Sequence, residues 1–293
     1  MSEFPANLQV RLALSIILTP TVHKMTWRKQ VNVRLARRAG MQLVQLDGRM
    51  RLIRNPPREL HRPGFIFSSV RSGSTLLRMI LNSHSQVYAP HELHLAHIKV
   101  DFEIPAAEKA VEALGLSERE LTNMLWDRLL TTALARSGKS ILVEKTPNSV
   151  FMWNRVAQCW PDGRFIYLLR HPAAIIDSWR RARTRQSEED AVKSVTRYLR
   201  SLAEARRTLP GHTVRYEDLT VDAEGESRRL CDYLEIKYEP EMIRYGSHDH
   251  GPMLAGLGDW QEKIRTGEVQ AARPVPDVEL TDELRALATD LGY

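Results

Sequence analysis

The stretch that decides the fold reads Gly64-Phe65-Ile66-Phe67-Ser68-Ser69-Val70-Arg71-Ser72-Gly73-Ser74-Thr75-Leu76-Leu77-Arg78-Met79-Ile80-Leu81-Asn82. Phe65 to Val70 is a short apolar run of β-formers, and Thr75 to Asn82 has the apolar spacing of a helix. Strand, tight turn and helix in that order make a ready anion site. The helix N-terminus offers unpaired N–H groups and a partial positive charge. Gly73 lets the backbone approach a ligand closely. Ser72, Ser74 and Thr75 add hydroxyl donors, and Arg71 adds a fixed charge with a bidentate fork. The kinase-type pattern G-x-x-x-x-G-K-[ST] is absent, because Ser68 stands where its first Gly belongs and Ser74 where its Lys belongs. The dinucleotide pattern G-x-G-x-x-G is absent as well. Taken alone, Arg71 to Thr75 reads equally well as an ordinary polar turn.

Working outward, strand-like and helical segments alternate. Ser140 to Val143 and Arg164 to Leu169 read as buried strands, and His212 to Tyr216 as a further one. Ala106 to Leu134 reads as two helices around Gly115. Ala173 to Arg185, Asp190 to Leu209 and Ala223 to Leu234 read as helices, with Pro172 suited to a first helical turn. This alternation predicts an α/β fold with a mainly parallel sheet and helices on both faces. Upstream, Met41 to Leu46 and Arg49 to Ile53 flank Asp47-Gly48, a strong hairpin signal. The expected organisation is a basic helical arm and hairpin over residues 1–63, followed by one domain over 64–293.

The chain has 293 residues, 43% of them apolar and 27% charged, which excludes disordered, collagenous and coiled-coil classes. Cys159 and Cys231 are too few for a disulfide scaffold, so a reducing compartment is expected. The net charge of +6 is uneven: residues 1–63 hold 12 Lys/Arg against 3 acidic residues, and the remainder holds 30 against 33. The basicity therefore belongs to the N-terminal segment. The most apolar stretch, Leu12 to Val22, is about half the span a bilayer needs. It also makes a poor signal peptide, since no Lys or Arg precedes it within the first ten residues. A cytoplasmic protein is expected, with a basic N-terminus that touches anionic lipid or an acidic partner, or else is simply a solvated charged helix.

A second motif sharpens the reading. In Tyr167-Leu168-Leu169-Arg170-His171-Pro172, Arg170 ends a strand, and Ser178 follows eight residues later, two turns into the next helix. Both can face one ligand, which suits a second, separate phosphate. Together, R-S-G-S-T-L and Y-L-L-R-H-P-x(5)-S resemble the 5′-phosphosulfate and 3′-phosphate motifs of sulfotransferases that use 3′-phosphoadenosine 5′-phosphosulfate (PAPS). Arg215-Tyr216-Glu217-Asp218-Leu219, before a helix ending in Leu230 to Ile236, is also similar to that family, and Gly258-Asp259-Trp260 is a looser match. The resemblance runs from about Gly64 to Lys263.

The resemblance implies a P-loop-like three-layer fold and a sulfuryl transfer from PAPS to an acceptor hydroxyl. It implies that Arg71, Ser72, Gly73, Ser74 and Thr75 hold the 5′-phosphosulfate and that Arg170 and Ser178 hold the 3′-phosphate. Tyr216 resembles a residue beside the nucleotide, or else is a core tyrosine at a strand end. The spacing of loop and base resembles that of tyrosylprotein and heparan 3-O-type sulfotransferases. There a catalytic Glu lies about twenty residues beyond the loop cation, the place of Glu92 here. Members that use a base histidine leave His91 and His94 as rivals. Lys145 resembles a Lys touching the transferring sulfuryl group, its alternative being a solvated Lys or a partner of Glu144. Glu144 is a weaker candidate for the base. Transfer of this kind rests on positioning and charge stabilisation, with a carboxylate or imidazole taking the acceptor's proton.

No metal is expected. His91, Glu92, His94 and His97 cluster, but without the zinc H-E-x-x-H spacing, and His248 with His250 forms only a second loose pair. No G-x-S-x-G elbow surrounds Ser72 or Ser74, which excludes a serine hydrolase of that type. Nucleic-acid binding is not expected of a near-neutral body. The rival readings are a nucleotide-dependent phosphotransferase and a non-catalytic nucleotide- or membrane-binding module. Segments 93–137 and 183–194 are expected to line the acceptor, a small molecule or lipid-like compound carrying a hydroxyl.

Overall fold

The computed structural model describes residues 41–46, 49–54, 57–182, 186–251 and 262–293. The basic arm, the Asp47-Gly48 turn, the last residues of the helix read to Arg185 and the Gly258-Asp259-Trp260 element lie outside the described residues. In chain order the chain forms β1 (Met41–Leu46), β2 (Arg49–Arg54), β3 (Gly64–Ser68), α1 (Ser74–Asn82), β4 (Val87–Tyr88), α2 (Pro105–Ala113) and α3 (Glu118–Ser137). Then come β5 (Ile141–Glu144), α4 (Trp153–Cys159), β6 (Arg164–Leu169), α5 (Pro172–Ala182), α6 (Glu188–Thr208) and β7 (Gly211–Arg215). The last elements are α7 (Tyr216–Val221), α8 (Ala223–Leu234), α9 (Glu262–Arg265) and α10 (Asp282–Leu291).

Two compact units result. One takes the described residues up to Arg58 together with Val100–Leu125; the other takes Glu59–Lys99 and Trp126–Tyr293. In the first, β1 and β2 pair antiparallel with Leu43 opposite Leu52. The second holds a five-stranded sheet in the order β4-β5-β3-β6-β7. Every pairing in it is parallel.

Side chains alternate across a strand, and the sheet uses both faces. Phe65, Phe67, Phe165, Tyr167 and Leu169 enter one core with Ile175, Leu199 and Leu284. Ile66, Val143, Ile166, Leu168 and Val214 enter the other with Leu77, Ile80 and Leu230. Parallel strands need long crossovers, and helices on both faces cover them. The fold is thus α/β, a P-loop-like three-layer arrangement. No helix among the described residues is long and apolar enough to cross a membrane.

Several boundaries differ from the sequence reading. Strand β3 stops at Ser68 rather than Val70, because Arg71 (φ 63°) and Gly73 (φ 88°) take left-handed conformations that no ladder continues. The last strand runs from Gly211 to Arg215, so Tyr216 opens helix α7 instead of ending the strand. Helix α6 begins at Glu188, earlier than Asp190, because Ser187 and Asp190 form a capping box. Strand β4, with two residues, is too short to show a period in the sequence.

Candidate active site

Every strand of the sheet delivers a candidate residue at its carboxyl end. β3 leads into Ser69 to Gly73, β6 into Arg170, β7 into Tyr216, β5 into Lys145, and β4 into the segment that reaches Glu92. Open parallel sheets bind ligands at this edge, because the helix N-termini and the connecting loops gather there.

The first group of residues surrounds the N-terminus of α1. Gly73 is its N-cap and supplies no side-chain cap to the first turn. A Cβ on Gly73 would stand 2.3 Å from Cδ2 of Tyr216, so the Tyr216 ring lies directly against the loop backbone. The Arg170 guanidinium lies 4.3 Å from the centre of that ring, a cation–π contact. Arg170 also donates from Nη1 to the Arg71 carbonyl at 2.7 Å. Arg71 in turn donates from Nε to Ser178 Oγ at 3.2 Å. The loop and the RHP turn are therefore one connected structure. Burial lowers the Arg170 pKa, opposed by Tyr216 and Glu217. Glu217 steadies the turn: Oε1 accepts from the His171 amide at 3.0 Å and Oε2 from the Tyr293 hydroxyl at 2.8 Å.

Several polar atoms in this group are buried without a hydrogen-bond partner among the described residues. They are the hydroxyls of Ser68, Ser69 and Ser72 and the Nε of Arg170. Buried donors are nearly always satisfied, so these atoms beside the start of α1 are placed to be met by water or by a polar ligand.

The second group forms where β4 and β5 end. Lys145 is 1% exposed and donates from Nζ to Glu92 Oε1 at 2.5 Å. His94 Nε2 lies 3.7 Å from the other Glu92 oxygen. Burial pulls the Lys145 pKa down, and Glu92 opposes that. Glu144 is fully buried and accepts from Thr146 and from Ser149 Oγ. Burial raises its pKa, with those hydrogen bonds and Lys145 opposing. Lys145 thus pairs with Glu92 rather than lying solvated, and Glu144 is committed to internal hydrogen bonds. His91 Nδ1 lies 3.3 Å from the Glu92 carbonyl.

Beside these loops lies a cavity of about 530 Å³ lined by Ala96, His97, Asn148, Phe151, Met152, Trp179, Ser194, Arg197 and Tyr198. Ala96, His97 and Ser194 belong to the segments expected to line an acceptor. Asn148, Phe151 and Met152, on the short helix after Lys145, lie outside those segments, as do Trp179, Arg197 and Tyr198. Arg78 also escaped the sequence reading. It is a buried cation in α1 whose charge acts on Glu92. The available signal was an arginine inside the apolar run Leu76 to Leu81. Among the described residues, no group of three or more His, Cys, Asp or Glu side chains is placed to hold a metal ion.

The chain is similar to known proteins in fold and in sequence. The "Sulfotransferase Domain from the Curacin Biosynthetic Pathway" superposes with a TM-score of 0.60 at 22% identity, covering 80% of this chain and 99% of that one. The sulfotransferase domain of the Synechococcus PCC 7002 olefin synthase gives 0.59 at 22% identity, covering 82% and 98%. These likenesses show the fold. The nodulation protein NoeE of Sinorhizobium fredii is 33% identical over 125 residues, which span 39% of this chain but only 30% of NoeE. A model described as "Sulfotransferase family" matches residues 63–240. That match takes in both loops, Glu92, Lys145 and Tyr216, and the chain belongs to the sulfotransferase family.

Proposed function

We propose that this chain transfers a sulfuryl group from PAPS to a hydroxyl of a small-molecule or lipid-like acceptor. The observation that carries the proposal is the convergence, at one sheet edge, of a donor cradle with unsatisfied buried groups and a Lys145–Glu92 pair. The residues present fit a bisphosphorylated nucleotide. Arg71, Ser72, Gly73, Ser74 and Thr75 would hold its 5′ end through the helix N-terminus and hydroxyls. Arg170 and Ser178 would hold its 3′-phosphate, with Tyr216 beside the nucleotide. Bound PAPS would supply the sulfuryl group and depart as 3′-phosphoadenosine 5′-phosphate (PAP) when the sulfur–oxygen bond to its 5′-phosphate breaks.

The protein's own residues do the rest. Glu92 takes the acceptor's proton, and His94 is the rival for that role. Lys145 and Arg71 stabilise the charge that develops on the sulfuryl and phosphate oxygens. The ammonium of Lys145 needs a counter-charge in its buried place, and Glu92 supplies one until the ligands arrive. The acceptor occupies the cavity between His97 and Tyr198, where Phe151 and Trp179 offer apolar surface and Asn148, Ser194 and Arg197 offer polar contacts. We place this activity in residues 64–293 and propose that residues 1–63, the basic arm and hairpin, suit an anionic membrane surface.

The test is a thermal-shift and calorimetric comparison of PAP without metal against ATP with Mg²⁺. PAP is expected to stabilise the protein by about 3–4 kcal/mol at 100–1,000 times its Kd. An equal shift from ATP and Mg²⁺ favours a phosphotransferase instead. PAPS consumption is then followed against a panel of phenols, alcohols and sugars.

A further inference from the structure

Helix α1 contains a buried cation that the proposed transfer chemistry does not use. Arg78 sits among Leu76, Leu77, Met79, Ile80 and Leu81 and is 1% exposed. Its Nη1 donates to the Ala89 carbonyl at 2.9 Å. One turn later on the same helix, Asn82 Oδ1 accepts from the Ala89 amide at 3.0 Å. Residues four apart share a helix face, so one face of α1 holds both main-chain groups of a single residue. The Asn82 amide is itself fixed: Nδ2 donates to the Asp249 carbonyl at 3.3 Å and lies 3.2 Å from His250 Nδ1.

The same segment is tied at a second point. Lys139 Nζ donates to the Asn82 carbonyl at 2.6 Å and to the Val87 carbonyl at 2.9 Å. Ala89 is fully buried, and Pro90, with its restricted φ, follows. Only Pro90 and His91 separate the gripped residue from Glu92. Burial lowers the Arg78 guanidinium to about 10, and the charge of Glu92 opposes that shift. A neutral donor would satisfy the Ala89 carbonyl at less desolvation cost. A buried charge at this place therefore points to a task beyond local packing.

We infer that Arg78 and Asn82 are positioning residues that lock the Glu92 segment to the helix whose N-terminus forms the donor cradle. Base and donor are thereby held in one frame. The catalytic consequence rests on the reading of Glu92 as the base; the mechanical lock does not.

The experiment uses the full chain with the variants Arg78→Met, Arg78→Lys and Asn82→Ala. In Arg78→Met and Asn82→Ala, amide hydrogen exchange over residues 87–98 is expected to speed up by about tenfold or more, while β6 keeps its protection. PAP affinity by calorimetry is expected to stay within about threefold. The kcat for PAPS consumption, with water or any active hydroxyl acceptor, is expected to fall about 10–100-fold with little change in KM for PAPS. Arg78→Lys, which keeps a cationic donor, is expected to recover part of kcat. Unchanged exchange over 87–98 overturns the inference. So does exchange that rises equally in β6, which would mark a purely structural role. If Arg78→Met does not fold, Asn82→Ala, which leaves the charge in place, carries the same test. Faster exchange in a protein whose wild type does not bind PAP upholds the lock and refutes the donor assignment.

Discussion

Lys145 Nζ lies 2.5 Å from Glu92 Oε1, although 53 positions separate the two in the chain. Adjacent parallel strands bring them together, since β4 and β5 pair side by side and release both residues at the same edge. The Lys145 side chain is 1% exposed and that of Glu92 15%, so this is a largely desolvated pair. Such pairs add little net stability, but breaking one leaves an uncompensated charge.

Lys145→Met should therefore destabilise the protein. Glu92 keeps some access to water, so the expected loss is about 2–3 kcal/mol, below that of a fully buried pair. That corresponds to a fall in Tm of about 5–10 °C by calorimetry. Adding Glu92→Gln to the same chain should recover part of the loss. An unchanged Tm in Lys145→Met would show that the pair is not formed in solution.

Glu92→Gln should leave PAP affinity nearly unchanged and reduce turnover by about 10²–10⁴-fold if its carboxylate takes the acceptor's proton. His94→Ala is the control, because its ring stands 3.7 Å from the same carboxylate. Full activity in Glu92→Gln, with activity lost in His94→Ala, would transfer the role to the histidine.

Arg170→Ala should weaken PAP binding by about 1.5–3 kcal/mol, the value of a charged hydrogen bond. It should also loosen the loop from Ser69 to Gly73, since Arg170 holds the Arg71 carbonyl at 2.7 Å. Calorimetric titration with PAP and with adenosine 5′-phosphate separates the two effects. If Arg170 holds only the 3′-phosphate, affinity for adenosine 5′-phosphate stays constant; if it also orders the loop, affinity falls for both nucleotides.

Gly73→Ala tests the contact between loop and ring. Its φ of 88° disfavours any side chain, and the new methyl would strike the Tyr216 ring at 2.3 Å. The ring or the loop must move, so PAP binding should drop at least about tenfold while the fold survives, because the strain of about 1–3 kcal/mol is confined to the loop. Wild-type PAP affinity in this variant would refute the close approach.

The pH dependence of stability should carry a mark of Glu144. Burial raises its pKa in the folded protein above the ordinary 4.5. Between the unfolded and folded values the native state binds more protons, so this residue's contribution to stability falls as pH rises through that window. Glu144→Gln keeps an acceptor for Thr146 and Ser149 and removes the titration. Its Tm relative to wild type should therefore rise between pH 4.5 and pH 7. A constant difference would place Glu144 in a more polar setting.

Much of this was readable from the chain. The run from Phe65 to Asn82 announces strand, turn and helix because its apolar period changes at Gly73, and the alternation beyond it announces a parallel sheet. The spacing from Arg71 to Glu92 and from Arg170 to Ser178 is local, and motifs carry local spacing well. Strand β4 was not readable, because two residues show no period and its pairing partner lies more than fifty residues away. The first residue of α7 is not legible in the sequence, because Tyr216 is as suited to a strand as to a helix start, and only the ladder with β6, ending at Arg215, decides.

The sequence by itself determined the order of the longer strands and helices up to α8, the strand, turn and helix around Gly73 and the residue types that the proposed chemistry needs, because these follow from local propensity and period. Only the tertiary structure decided which of those residues meet. The contacts of Lys145 with Glu92, Tyr216 with Gly73 and Arg78 with Ala89 depend on how non-adjacent segments are packed. That packing is set by burial summed over both faces of the sheet, which no single stretch of chain encodes.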